Sequence, residues 1–493
     1  MRKGILLLTI VYYMTMTANA QHEITALNLT IQNPKDVYSV AQAGKGLAFL
    51  FKTNKQYQTI ILSDDFNEQR TTVYKRSANE KKEEILGGLI DSIYAVFYFH
   101  HPKSNILSQL KVNRITGEQS YEKFFVLQPK EQVLKGFNMD GKFYLITVMQ
   151  YKNDVNVYTI SPHIATLEAD MYNMQFPTFY GRLSRKSDGS EEAKPIAIDD
   201  INPETVNTIR TVHSDKKLYH YNGKIFFTFD DADRTHLIEI DTYKKTSVYK
   251  KLNFTLERTA NVSRQQGNSF ISDNTLFRIS MNPDQMNLTV LNLDTMSMLA
   301  TYNIFPEENE VNIANSPIIQ QGIIVGFDNN DEKIIRKPSQ FFKKALGGNI
   351  AIVVNKTANN KLAIQIGSYE EFTVYKGAGT GMPISSGSSF SPYSTASLGY
   401  GYPAFGYSSY FPNSGPTMTR INLVHFESLF DNNFIHLEGN VPKSAMQKIT
   451  DFKEDKFGPA GPEVNNTIAY KQNVVLGYLN KRTNKFQLLE FKK

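Results

Sequence analysis

Short apolar runs recur along this chain, each closed by a polar turn and followed by a segment of alternating character. The clearest are Leu47–Phe51, Ile93–Phe99, Phe143–Val148 and Ile225–Phe229. They are too short for core helices and rich in aromatic and branched residues, so each predicts a buried strand. Leu47–Phe51 leads through Thr53-Asn54-Lys55 into Tyr57–Leu62. Phe99 leads through Pro102-Lys103-Ser104-Asn105 into Ile106–Ile115, and Phe229 through Asp230-Asp231-Ala232-Asp233 into His236–Ile240. Turn-forming residues between two strand-like runs predict hairpins.

The hairpins group into larger units. In Leu218–Tyr249, Tyr221-Asn222-Gly223-Lys224 turns into Ile225–Phe229, Leu237–Ile240 pairs back, and Thr246–Tyr249 goes out again. Units of this plan begin near residues 36, 85, 133, 218, 268, 313 and 419. Several spacings match the ~40–50 residues of a four-stranded propeller blade. A lone four-stranded meander cannot bury both faces, whereas meanders set around an axis bury one another. The expected fold is therefore an all-β propeller of six to eight four-stranded blades, with seven the best fit, over residues 21–493. Two stacked β-sandwich or sheet domains are the alternative. Ile24–Ile31, with alternating Leu27, Leu29 and Ile31, is expected to complete the last blade beside the C-terminal hairpin. Helix is expected only at Ser339–Leu346 and Ser444–Ile449, with a short turn after Pro203.

Two stretches break the pattern. Asn173–Arg210 is polar and reads as a long loop. Residues 376–418 form a Gly/Ser/Tyr-rich insertion, free of charge from Gly377 to Thr419, and lie between the strand-like runs Phe372–Tyr375 and Ile421–Phe426. With Ile384 and Leu398 as its only branched aliphatic residues, this insertion cannot build a core, so it is expected to be a flexible, overgrown hairpin tip. Its Tyr400, Tyr402, Phe405, Tyr407 and Tyr410 are candidate partner-binding residues.

The N-terminus has three zones. Arg2 and Lys3 precede an apolar stretch, Gly4–Met16, and Ala18-Asn19-Ala20 supplies small residues at a cleavage site. That is the form of a secretory signal peptide, residues 1–20, and the apolar core is shorter than the ~20 residues of a bilayer span. Gln21 follows the site, so a lipoprotein anchor is not expected. The chain has no cysteine, which removes disulfides, thiolate metal sites and cysteine nucleophiles together. Cysteine-free export suits a bacterial envelope, either periplasmic, surface-associated or secreted. The formal charge is +6, and subtracting Arg2 and Lys3 leaves +4. The basic residues are scattered, with no stripe of the kind nucleic acid requires.

The sequence holds no H-E-x-x-H, G-x-S-x-G or P-loop motif. Two acidic turns, Asp230, Asp231 and Asp233 after Phe229, and Asp328 and Asp331 after Phe327, are candidate Ca²⁺ ligands, the one cofactor the sequence offers. Such residues also favour turns for their own sake. Of the nine histidines, His100, His101, His220, His236, His425 and His436 lie on or beside strand-like runs. Any of them could act as acid or base if it faced a central channel.

The blade-like repeats, the strand–turn–strand form Asn349–Val354, Asn359-Asn360-Lys361 and Leu362–Ile366, and the segment Phe426–Phe434 resemble exported bacterial β-propeller proteins of unknown function. The resemblance is architectural and carries no functional residue with it. Missing catalytic motifs and the tyrosine-rich insertion favour a non-catalytic interaction module that binds a protein or polysaccharide partner at the cell envelope. The alternative is a hydrolase or lyase acting on an extracellular polymer through a central propeller cleft.

Overall fold

The computed structural model describes residues 21–492 apart from residues 79, 151, 153, 162–166, 175–178, 180–183, 186–190, 193–194, 203–205, 259–263, 325–329, 358, 376–416 and 458–460. Residues 1–20, expected to be a signal peptide, and the candidate residues Tyr400, Tyr402, Phe405, Tyr407 and Tyr410 lie outside the described residues.

Seven antiparallel sheets form the blades of a β-propeller. Five have four strands and two have five. Blades 1, 2, 3 and 5 are simple meanders whose inner strands are Asp36–Gln42, Glu84–Ile90, Glu131–Met139 and Gln266–Ser272. The inner strands of neighbouring blades 1, 2 and 3 touch one another, as do those of blades 7 and 1 and of blades 5 and 6. Each predicted apolar run is the second strand of its blade, where both faces are covered. Phe49, Phe97, Leu145 and Phe227 on these strands are all fully buried. Successive side chains point to opposite faces of a strand, so each blade sends alternate residues to its two neighbours. Blade 2, for example, sends Phe97 and Phe99 into a cluster with Leu50 and Tyr57 of blade 1. It sends Val96 and Tyr98 into a cluster with Phe143 and Leu145 of blade 3, where Tyr98 and Phe143 stack with ring centres 4.5 Å apart.

Blade 7 confirms the expected closure. Its strands Asn465–Tyr470, Asn473–Asn480 and Lys485–Lys492 are joined by Gln21–Asn28, which pairs antiparallel with the last of them. Leu27 and Leu29 are buried there with Phe486, Phe49 and Phe51, so the N-terminal strand joins blade 7 to blade 1.

Blade 6 departs from the expected plan. Its inner strand is Asn349–Lys356, followed outward by Leu362–Tyr375 and Thr417–Phe430. The outermost pair, Ile318–Ile324 and Asn330–Ile335, comes first in the chain. The expected unit starts near 313 and 419 are therefore corrected. Residue 313 precedes an outer hairpin, Ile421–Phe426 belongs to blade 6, and blade 7 begins at Asn465. The long strands Leu362–Tyr375 and Thr417–Phe430 pair to Tyr375 opposite Thr417, so the hairpin expected around the insertion is present. Three α-helices lie around this blade: α1 (Ile209–Val212), α2 (Pro338–Ala345) and α3 (Ala445–Phe457). Of these, α2 returns the chain from the rim of blade 6 to its centre, and α3 comes after its last strand.

The stretch expected to be a polar loop also holds an extra element. Asp199–Ile201 pairs parallel with Lys216–Tyr221, the inner strand of blade 4, and lies on its axial side. The chain then passes through Val206, buried against α3 and blade 7, to α1, which packs on blade 6. This crossing segment and α3 occupy the seam between blades 6 and 7. Among the described residues the apolar clusters join the other neighbouring blades directly, but not these two.

Candidate functional site

The site is built from three strands at the inner edges of blades 3 and 4. On blade 4, Leu218 and His220 face blade 3, while Lys217 and Tyr219 face blade 5. The parallel partner strand follows the same alternation. Asp200 therefore faces blade 3, and Asp199 shares the side of Lys217, opposite which it sits in the register. On blade 3 the inner strand carries a bulge between Val133 and Lys135. Bulges re-aim the side chains beside them, and here Lys135 meets Asp200. A side chain at Gly136 would strike the Leu86 carbonyl oxygen of blade 2 at 2.9 Å, so the bare backbone lets this strand approach its neighbour.

The resulting group is compact. His220 donates from Nε2 to Asp200 Oδ1 at 3.1 Å, and Lys135 Nζ lies 3.5 Å from Asp200 Oδ2. The His220 ring stacks on Phe137, with centres 4.0 Å apart and planes inclined by 17°. The side chains of Lys135, Asp200 and His220 are 18%, 17% and 9% exposed, so water reaches all three. Burial alone would raise the Asp200 carboxyl, but Lys135 and His220 outweigh it and hold it at about 2. Burial pushes Asp199 the other way, up to about 6, against the pull of Lys217 and Lys135. Two adjacent carboxyl groups thus differ in protonation near pH 5, one an anion and the other an acid.

On the far side of the axial strand lies a second cluster, closed to solvent. Asp230 accepts from Lys217 Nζ at 3.3 Å, Arg278 Nη1 at 3.0 Å, Thr235 Oγ1 at 2.7 Å and Ser269 N–H at 2.8 Å. The side chains of Lys217, Asp230 and Arg278 are fully buried. Arg278 also lies over the Phe254 ring at 4.6 Å and donates to the Asp231 carbonyl at 2.8 Å. A Cβ at Gly267 would fall 1.9 Å from Arg278 Nη2, so glycine leaves the guanidinium its place. With no exposed atom this cluster joins blades 4 and 5 and is structural.

The acidic turn proposed from the sequence is taken apart by these contacts. Asp230 is committed to Lys217 and Arg278. Asp231 lies 3.2 Å from His236 Nε2, and Asp233 is held by Arg234 at 2.7 Å, which lowers its carboxyl. Asp331 lies on the outermost hairpin of blade 6, opposite Gly322, and Asp328 lies outside the described residues. Among the described residues, no three His, Asp or Glu side chains are grouped to hold a metal ion.

Among the described residues, the other candidate histidines sit in structural settings, with His101 Nδ1 2.9 Å from Ser104 Oγ. His100 Nε2 meets Asn105 Oδ1 at 2.9 Å and His436 Nε2 meets Asn315 Oδ1 at 2.9 Å. His220 and His236 share blade 4 but sit two strands apart. Burial pushes His425 down to about 4, which leaves it a neutral ring inside blade 6. The sequence pattern named His220 but missed Lys135, Asp199 and Asp200. One signal was available for the acids: the short apolar run Ile196-Ala197-Ile198 leads directly into Asp199-Asp200-Ile201 inside a stretch read as loop.

No family model matches this sequence, and no curated protein matches it. Among solved structures it is similar to cobalt-substituted ACO from Synechocystis, with 10% identity over 55% of this chain and 61% of that chain and a TM-score of 0.28. It thus spans less than two thirds of that protein's length. It is similar to an oligogalacturonate lyase in complex with manganese, with 9% identity over 71% of this chain and 97% of that one and a TM-score of 0.29. It is also similar to a prolyl endopeptidase, with 10% identity over 67% of this chain and 46% of that one and a TM-score of 0.30. Other similar structures are of uncharacterised or exported bacterial proteins. At this level of likeness no residue or role is carried across.

The expectation of a non-catalytic interaction module gives way to its alternative, the hydrolase or lyase reading. The physical ground for that alternative lies in the ring itself, where a histidine, a carboxylate and an ammonium group meet at the inner edges of two blades.

Proposed function

We propose that the protein is a hydrolase or lyase acting on an extracellular polymer, with its chemistry at the inner edges of blades 3 and 4. One observation carries this reading: the water-accessible His220–Asp200–Lys135 group, with contacts of 3.1 and 3.5 Å. Imidazole is the side chain suited to moving a proton near neutral pH. Asp200 accepts from Nε2 and so fixes the tautomer, leaving the lone pair on Nδ1 to take a proton from substrate or water. A carboxylate held as an anion also steadies the imidazolium that results. Lys135 supplies a fixed positive charge beside the site, suited to a developing oxyanion or to a carboxylate on the substrate. The tripartite N-terminus supports an exported enzyme, and no helix among the described residues is long and apolar enough to cross a membrane.

The test is a panel of purified extracellular polysaccharides and peptides incubated with the exported protein, with products read as new reducing ends, unsaturated ends or new amino termini. Cleavage of one class is expected, falling by roughly 100-fold or more in His220→Ala, as loss of a general base does. No cleavage across the panel, or equal cleavage by His220→Ala, would remove the proposal.

A further inference from the structure

We infer that Asn355, on the inner strand of blade 6, is a positioning residue for the His220–Asp200 pair across the ring. The inference rests on the functional reading above only for its effect on rate. The contacts that carry it are independent of any substrate.

Asp200 sits on a strand of three residues, Asp199–Ile201, which pairs with the rest of its sheet on one side only. So short a strand has little pairing of its own, so buried Ile201 and the segment C-terminal to it help fix its place. That crossing segment does so through a chain of amides. Asn207 Nδ2 donates to the Asn202 carbonyl at 3.0 Å, two residues after Asp200. Asn207 is itself gripped by Asn355, whose Oδ1 accepts from the Asn207 N–H at 2.9 Å while its Nδ2 donates to the Asn207 carbonyl at 3.0 Å. A carboxamide that both accepts from and donates to one residue's backbone acts as a strand edge would, and it sets both position and orientation. Asn207 is buried, so an unmade bond there has no full replacement from water. Farther along, the Ile209 N–H donates to Gln365 Oε1 at 3.4 Å, and His213 stacks on Tyr369 at 4.2 Å, so the segment remains on blade 6. The path from blade 6 to the site is therefore Asn355, Asn207, Asn202 and the strand bearing Asp200. Apolar contacts hold the segment as well, Ile201, Ile209 and Val212 against blades 4 to 6 and Val206 against α3 and blade 7, while the amide contacts fix the backbone of Asn207 and Asn202 directly.

The experiment compares imidazole ring ¹H–¹⁵N spectra of the full protein, without substrate, for wild type, Asn355→Ala, Asn355→Asp and Asp200→Asn. The His220 signals are those lost in His220→Ala. In Asn355→Ala they are expected to move toward their Asp200→Asn positions, while the signals of His100 and His436, held by Asn105 and Asn315, stay in place. Asn355→Asp keeps the acceptor for the Asn207 N–H and loses the donor, so its shift should be intermediate. On the polymer identified by the panel, Asn355→Ala should lose about 10- to 100-fold in kcat with a smaller change in KM, the order expected of a misplaced catalytic group. Wild-type His220 signals in both Asn355 variants, with Asp200→Asn clearly shifted, would overturn the inference. Shifted signals together with no cleavable polymer would remove the functional reading and leave the positioning role standing.

Discussion

Asp230→Ala should be the most destabilising single truncation of a charged residue in this protein. The carboxylate neutralises two cations, Lys217 at 3.3 Å and Arg278 at 3.0 Å, and all three side chains are fully buried. Burial pulls the Lys217 ammonium and the Arg278 guanidinium down, and Asp230 is the first counterweight to burial for both. Removing it leaves two positive charges between blades 4 and 5 hydrogen-bonded to neutral oxygens of Asn268, Thr235 and the Asp231 and Ala232 backbone, with the remaining carboxylates acting only through space. Breaking one buried pair by deleting a partner costs about 3–5 kcal/mol, and two cations share this partner, so the upper part of that range is expected. Urea unfolding followed by tyrosine fluorescence is the assay, since the chain has 27 tyrosines and no tryptophan. The midpoint should fall while the slope stays the same, as befits a change in stability and not in the surface exposed. The triple variant Asp230→Ala, Lys217→Met, Arg278→Met should recover much of the loss, because apolar groups of similar volume need no counter-charge. A loss under about 1 kcal/mol for Asp230→Ala, or a triple variant no better than the single, would refute the reasoning.

Two further predictions concern stability. Asp199 rises from an ordinary 3.8 to about 6 on folding, so the folded protein holds its proton more tightly than the unfolded chain. Well below pH 3.8 the group is protonated in both states and costs nothing, whereas above pH 6 the folded state carries the whole penalty. Asp199→Asn should therefore stabilise the protein by up to roughly 3 kcal/mol at pH 7 and leave it nearly unchanged at pH 3.5, as urea midpoints at the two values will show; equal effects at both would exclude the assignment. Leu27→Ala should cost about 2–5 kcal/mol, the range for emptying a buried leucine site, because Leu27 is 2% exposed among Phe486, Phe49 and Phe51 where the N-terminal strand closes the ring. Hydrogen exchange in Lys485–Lys492 should rise in the same variant, and unchanged protection there would argue against closure by this strand.

The strands of blades 1 to 4 were legible because the second strand of each is covered on both faces and reads as a short apolar, aromatic run. The ring closure was legible because Leu27, Leu29 and Ile31 alternate. Blade 6 was misread for a topological reason. Its outer hairpin precedes its inner strand, and local pattern favours pairing consecutive strands in order. Asp230 read as a solvent-facing turn residue, yet it is the last residue of its strand and points between two blades, where only tertiary contacts with Lys217 and Arg278 give it meaning. Most of the site was hidden in the same way. His220 was visible as a strand histidine, but its value depends on Asp200, which sits on a three-residue strand amid polar sequence, and on Lys135, brought into reach by a bulge in another blade. Sequence periodicity reports which face of a strand is buried and carries no information about which distant strand lies opposite it.

The claim that chemistry occurs between blades 3 and 4 is tested most directly by the structure of His220→Ala bound to an uncleaved oligomer of the polymer that the wild type cleaves. The account predicts the scissile bond within hydrogen-bonding distance of the position vacated by the His220 ring, with Lys135 on a substrate oxygen. An oligomer seated at the outer rim, or centred on another blade with residue 220 out of reach, would contradict it.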